Sequence, residues 1–477
     1  MPTDHAAGVP FADTGLLSPV TAGHDGALGD AQVLRALVTA EVALTRAWAE
    51  VGAVPHETTD AVSAALGWRG PGELCEVPDA ALPLAELVAA APAGGNPVIP
   101  LVGLLRAGVP AHAAPWVHRG ATSQDVLDSA LMLVARRACT GIVRSLTDAE
   151  TALARFADAH RDEVAAARTL TQHAVPTTIG LRAAGWLRGI RRARQRLEAA
   201  AAQLPAQLGG AAGTLASFVE LAGAEAAAAL PAAFAGQLGL ATPDAPWHTA
   251  RWPVTELGDA LVQAVDALGK LAADVATGSR TEIGELAEGA GGGSSAMPHK
   301  SNPVRSVLIR SAAIRAPHLA ATLHTASALA VDERPDGAWH AEWPALRELL
   351  RVTAGAAAHG AALAEGLGVD AAAVRRNLAL AGGLVLAERL SIALGPFIGP
   401  AGVAEIVAAV RRGEDLGTVL RGLPERADVP GLDDLLDPAG YTGLAAEIVA
   451  LAVRSPSAAD PGAGCAAEPA RPDPFER

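Results

Sequence analysis

The sequence predicts an all-α protein: three helical domains arranged around a central bundle of long helices. Three observations carry that expectation. Half of the 477 residues are hydrophobic but only 3% are aromatic, and alanine, the best helix former, dominates the apolar set. From Gln124 to about Val164 there is no proline and only one glycine, Gly141, so one helix should run far beyond the ordinary length. The alternation of β-branched and aromatic residues that marks strands is missing throughout.

In chain order, Met1 to Gly29 reads as irregular, with Leu16-Leu17-Ser18-Pro19 as a packed segment. Asp30 is placed to cap a helix whose face is built from Val33, Leu34, Leu37, Val38, Glu41 and Leu44. Helices are expected near Glu57 to Leu66 and Ala80 to Ala90. Gly94-Gly95-Asn96-Pro97 then interrupts, either as a plain turn or as a substrate-facing loop. The first domain is assigned to residues 1–117.

A polar loop, His118-Arg119-Gly120-Ala121-Thr122-Ser123-Gln124-Asp125, opens the second domain, residues 118–366. Ser123 or Thr122 can cap the long helix that follows, leaving its positive dipole end facing the loop. Arg168 to Thr178 breaks that helix, and another begins near Thr178. Breaks follow at Leu204 to Thr214 and Pro246 to Arg251. Long helices are predicted at about Pro253 to Glu288, Pro303 to Ala330 and Trp339 to Gly366. Residues 367–454 form a small helical domain, and residues 455–477, rich in Pro, Ala, Gly and charge, read as a disordered tail.

The balance of 37 basic against 51 acidic residues argues against a nucleic-acid or anionic-membrane surface. Cys75, Cys139 and Cys465 are too few and too far apart for a disulfide framework or a CxxC metal site. There is no basic and apolar leader at the start, and no apolar run free of Pro, Gly or charge that is long enough to span a bilayer. A cytoplasmic protein is expected.

Against this acidic background, Gly289 to Arg310 contains no acidic residue but holds His299, Lys300, Arg305 and Arg310. Its core, Gly291-Gly292-Gly293-Ser294-Ser295-Ala296-Met297-Pro298-His299-Lys300-Ser301-Asn302-Pro303, is a glycine-hinged loop closed by a proline suited to a first helical turn. The order of residues resembles the signature loop of the fumarase/aspartase superfamily, which includes argininosuccinate and adenylosuccinate lyases and bacterial 3-carboxy-cis,cis-muconate cycloisomerases. The resemblance implies that Ser294 is the catalytic base and Lys300 binds the substrate carboxylate. The first loop resembles the superfamily loop whose Thr-Ser pair, here Thr122 and Ser123, binds a carboxylate, and His118 stands where some members carry a histidine. As a residue beside a helix start, His118 can equally be a hydrogen-bonded structural group. Gln172, Asn302, Arg334 and Arg251 complete the expected substrate set. The resemblance also implies a homotetramer with each active site built from three subunits, acting on a small polycarboxylate. No metal or organic cofactor is expected, since no two of His173, His248, His299 and His340 have metal-ligand spacing.

Proton removal beside a carboxylate creates a dianionic aci-carboxylate, and stabilising it is the main energetic task. Argininosuccinate lyases and fumarases add a histidine–glutamate pair at two positions that here are Leu170 and Val307. An amine or hydroxide leaving group benefits from a general acid, whereas a carboxylate is already a stable anion. The loss therefore points to lactone chemistry: interconversion of 3-carboxy-cis,cis-muconate and 4-carboxymuconolactone, in the protocatechuate branch of aromatic degradation. The alternatives are a carbon–nitrogen lyase releasing fumarate or a related unsaturated acid from adenylosuccinate or a substituted succinate, and a catalytically silent relative.

Overall fold

A computed structural model describes residues 15–77, 82–289, 292, 297, 300–423 and 431–454. The chain is all-α apart from two small antiparallel sheets among the described residues. It divides into two units, one from the described residues of Met1–Ala152 and Arg188–Ala373, the other from those of Leu153–Leu187 and Val374–Arg477.

The first unit begins with α1 (Asp30–Glu50), α2 (His56–Ala65), α3 (Leu84–Gly94) and α4 (Val98–Gly108). Gly29, extended at φ −70° and ψ 160°, is the residue before α1, so Asp30 sits inside the first turn rather than capping it. Its carboxylate accepts from Arg347 at 2.6 Å. Leu16 and Leu17 are exposed instead of packed, while Val20 and Thr21 are buried nearby in the chain. Cys75 and Cys139 are also buried, and burial pushes their thiols up to about 11 and about 12.

The predicted long helix is α5 (Ser123–Ala159), 37 residues. Two strands follow it in the second unit, β1 (Val164–Thr169) and β2 (Gln172–Thr178). They form without the alternation that marks strands in a sequence, and they are small enough to leave the chain all-α. Their turn is Leu170-Thr171, at φ 47° and 72°, the left-handed backbone of a two-residue hairpin built without the Asn-Gly that usually announces one. Then come α6 (Ile179–Ala202) and α7 (Ala216–Leu238).

The core of the first unit is α8 (Trp252–Gly278), α9 (Val304–Ala328) and α10 (Gly337–Glu365), each packed on the other two. Their approach is close: a Cβ on Gly360 would stand 2.4 Å from the Leu268 Cδ2, so only glycine lets α10 lie this near α8. α8 ends ten residues short of the expected Glu288, because the chain turns into β3 (Leu286–Glu288), which pairs with β4 (Leu367–Val369). In the second unit, α11 (Ala371–Ala379) leads to α12 (Ala387–Arg411), α13 (Leu416–Arg421) and α14 (Ala445–Val453). Leu386, Leu390, Leu394, Ile406 and Leu420 form part of its core.

Two helical stretches, Ala216–Leu238 and Leu384–Arg411, are long and apolar enough to cross a membrane by length and composition. Each is broken by glycine and proline, Gly223 and Pro231 in one and Pro396, Gly399 and Pro400 in the other. The expected tail, 455–477, lies outside the described residues.

Candidate active site

The first loop is pinned from three sides before it reaches α5. Arg106 on α4 donates to the Val117 carbonyl at 3.0 Å, Trp48 on α1 to the Arg119 carbonyl at 3.2 Å, and Ser217 on α7 to the Gly120 carbonyl at 2.7 Å. Held this way, His118 adopts a left-handed φ of 59°, which a non-glycine residue keeps only when its surroundings impose it. Its Nδ1 donates to Glu41 Oε1 at 2.7 Å, with the glutamate side chain fully buried and the histidine 17% exposed. Burial opposes a charge on the ring, but the Glu41 charge and hydrogen bond, helped by Asp125, outweigh burial and the nearby Arg106, and the His118 pKa is raised.

Asp125, in the first turn of α5, anchors the floor. Its carboxylate accepts from the backbone of Thr122 at 3.0 Å, of Gly209 at 2.9 Å and of Gly210 at 3.0 Å, and from His248 Nε2 at 2.8 Å. The glycine-rich break at 204–214 is thus tied to the loop at 118–123. Arg334 closes the cluster: it donates to the Thr122 hydroxyl at 2.6 Å and to the Ala211 carbonyl at 2.8 Å. The structure therefore brings Thr122 and Arg334 into contact. Ser123 opens α5, half-buried, and its hydroxyl makes no hydrogen bond among the described residues.

The signature loop is gathered at a neck. Gly292 and Asn302 exchange both backbone hydrogen bonds, at 2.9 and 3.0 Å. A Cβ on Gly292 would meet Val304 Cγ2 at 2.1 Å, so the neck requires glycine there. Downstream, α9 begins after Pro303 as expected, and Glu288 on β3 reaches across to cap it, accepting from the backbone of Arg305 at 3.1 Å and of Ser306 at 2.8 Å. Lys300 is exposed and forms no ion pair among the described residues. Ser294 lies outside the described residues. Neither Lys300 nor Asn302 hydrogen-bonds to the His118, Thr122 and Arg334 cluster within this chain.

Arg251, expected to bind substrate, lies in the core. It is buried, 2% exposed, between Asp128 and Glu342, with contacts as short as 2.7 and 2.6 Å. Trp339 Nε1 also donates to Asp128, at 2.8 Å. Its N–H groups are taken by the two carboxylates and its face lies 4.7 Å from the Trp247 ring, so Arg251 is engaged as a core cation. Gln172 opens β2 in the second unit, exposed, paired with Thr169 in the ladder and with its side chain 3.4 Å from Thr171. The substrate-facing alternative for residues 94–97 meets a structural competitor, as Asn96 Oδ1 accepts from the Val98 backbone at 3.1 Å and the Gly95 carbonyl contacts His340 Nε2 at 2.9 Å.

Three contributors escaped the sequence reading: Glu41, Asp125 and Glu288. For Glu41 the signal was present, since a lone acid within an otherwise apolar helical face asks for a buried partner. Asp125 was read as part of the first loop, and nothing local marked Glu288.

The Lyase family model matches residues 25–317. The chain is 46% identical over 469 residues to a nitrosuccinate lyase of Streptomyces davaonensis, covering 94% of this chain and 96% of that protein. It is 44% identical over 428 residues to a 3-carboxy-cis,cis-muconate cycloisomerase of Pseudomonas aeruginosa, covering 86% and 89%. Among solved structures, a 3-carboxy-cis,cis-muconate lactonizing enzyme from Pseudomonas putida superposes with a TM-score of 0.79 at 37% identity, covering 89% of this chain and 94% of that one.

Proposed function

The chain belongs to the lyase family of the fumarase/aspartase superfamily, and from that premise we propose that it eliminates nitrite from nitrosuccinate to give fumarate. The observation that carries this reading is the pair Leu170 and Val307, both exposed, at 97% and 53%. Neither can donate a proton where relatives that expel amines or hydroxide keep an acid, so the leaving group must depart as a stable anion. Nitrite satisfies that demand. The near end-to-end match to a nitrosuccinate lyase supports it.

In this reading Ser294 removes a proton from the carbon beside one carboxylate, and Lys300 stabilises the aci-carboxylate that forms. The electron pair then closes the carbon–carbon double bond as the carbon–nitrogen bond breaks and nitrite leaves with its bonding pair. Thr122, Ser123 and the start of α5 hold the second carboxylate, with Arg334 fixing the Thr122 hydroxyl. His118, Asn302 and Gln172 meet substrate from their own loops, and a homotetramer brings the loops of three subunits together.

The second reading is the cycloisomerase, whose leaving or attacking carboxylate is an equally stable anion, and the 44% relative favours it. It asks for cationic partners to three carboxylates, and the engagement of Arg251 by Asp128 and Glu342 removes one of them. A paired assay decides: purified protein is given nitrosuccinate, with nitrite and fumarate measured, and separately 3-carboxy-cis,cis-muconate, with loss of the diene absorbance measured. Equal amounts of nitrite and fumarate are expected. Diene loss without nitrite would replace the first reading by the second.

A further inference from the structure

Glu41 occupies the middle of α1 with its side chain fully buried, and only one of its oxygens is used. Oε1 accepts from His118, while Oε2 is buried without a hydrogen-bond partner. An apolar residue would complete the helix face without that penalty, so packing gives no reason for a carboxylate at this position. What the carboxylate does is orient a ring. With Nδ1–H held at 2.7 Å and the backbone of His118 in a left-handed conformation, the imidazole has one nitrogen left, Nε2, and it has no partner among the described residues.

Resting on the reading above that His118 meets substrate, we propose that Glu41 is a positioning residue that keeps His118 doubly protonated, so that Nε2–H serves as a cationic donor to an anionic group of the substrate. The charged groups around the ring are Glu41 on α1, Asp125 on α5 and Arg106 on α4. The two acids favour the imidazolium, and burial and the arginine oppose it. The raised pKa means that the cation is present at pH values below it and is lost as the pH rises through it. Removing the Glu41 charge leaves burial less opposed and lowers that point.

The test compares wild type with Glu41→Gln, whose amide oxygen can still accept Nδ1–H, and with Glu41→Asp, which keeps the charge. The His118 titration is followed by NMR of histidine labelled at Cε1, with the signal assigned by its loss in His118→Gln. Binding of succinate, a dicarboxylate that cannot react, is followed by calorimetry across the same pH range, so neither readout depends on which substrate the enzyme turns over. Glu41→Gln should titrate at lower pH than wild type. At a pH between the two measured midpoints it should bind succinate roughly tenfold more weakly, the loss of one charge-assisted hydrogen bond. The two losses should not add in Glu41→Gln/His118→Gln, and Glu41→Asp should stay near wild type. An unshifted titration, or a shifted titration with unchanged succinate affinity, overturns the proposal. Failure of the nitrite assay alone removes the nitrosuccinate reading and leaves this result standing. If Glu41→Gln does not fold, Glu41→Asp together with His118→Gln still decides, since a pH-independent loss of affinity in His118→Gln would rule out the cation.

Discussion

The Glu288 carboxylate takes two hydrogen bonds from Ser306 alone, one from its backbone N–H at 2.8 Å and one from its hydroxyl at 2.6 Å. A cap supplied by the chain just ahead of the signature loop thus holds the helix just behind it, and with the Arg305 bond and the Gly292–Asn302 pair it keeps the two ends of the loop together. Glu288→Ala is expected to leave these donors unpaired and to lower stability by roughly 1–3 kcal/mol. Turnover should fall by more than the loss of folded protein explains. Urea denaturation and initial rates on the same sample check both halves, and an unchanged rate per folded molecule would show that the neck does not govern the loop.

Arg251→Met should act on folding and not on substrate. It strands Asp128 and Glu342 in the core, and breaking a buried ion pair costs on the order of 3–5 kcal/mol. The expected result is little soluble protein, or a strongly lowered melting temperature with KM unchanged in whatever folds. A soluble, stable variant with a raised KM would return Arg251 to the substrate set.

Ser294→Ala is expected to abolish turnover while substrate still binds, since it removes the proposed base and little else. Lys300→Met should lower kcat and raise KM together, because a carboxylate partner acts in both ground and transition states. Steady-state kinetics beside calorimetric binding separates the two. More than a few per cent of activity in Ser294→Ala would transfer the base to another residue, Ser295 being its neighbour in the chain.

The buried thiols make a separate prediction. Cys75 and Cys139, pushed up to about 11 and about 12 from an ordinary 9.0, should resist iodoacetamide in the native protein at neutral pH and react once it is unfolded. Because burial raises both values, the stability tied to the neutral thiols is present below pH 9.0 and is lost as the pH climbs through 11 to 12. Mass spectrometry of native and denatured samples reads the labelling. Prompt native labelling of Cys139 would contradict its place in the core.

The long helices were legible in the sequence because local residues dictate them: α5 follows from a run without proline, and α9 starts at the proline that suits it. The hairpin was not, because Leu170 and Thr171 carry no turn signal, yet both take the left-handed backbone that a two-residue turn needs. The ion pairs of Arg251 are not legible in the sequence for a related reason. Its partners Asp128 and Glu342 lie 123 and 91 residues away, and a cation beside a loop motif looks the same whether it is free or already neutralised. Glu41 lies in an otherwise apolar helical face, and its charge there is the anomaly that marks a buried partner.

The convergence on Asp125 also has a consequence in time. Its partners Gly209 and His248 lie 84 and 123 residues further along the chain, so α5 leaves the ribosome well before the segments that complete its floor have been made. Contacts of such sequence separation form late and slowly. A nascent chain halted ahead of His248 would lack that partner of Asp125, so the floor is completed only once about half of the 477 residues have been made.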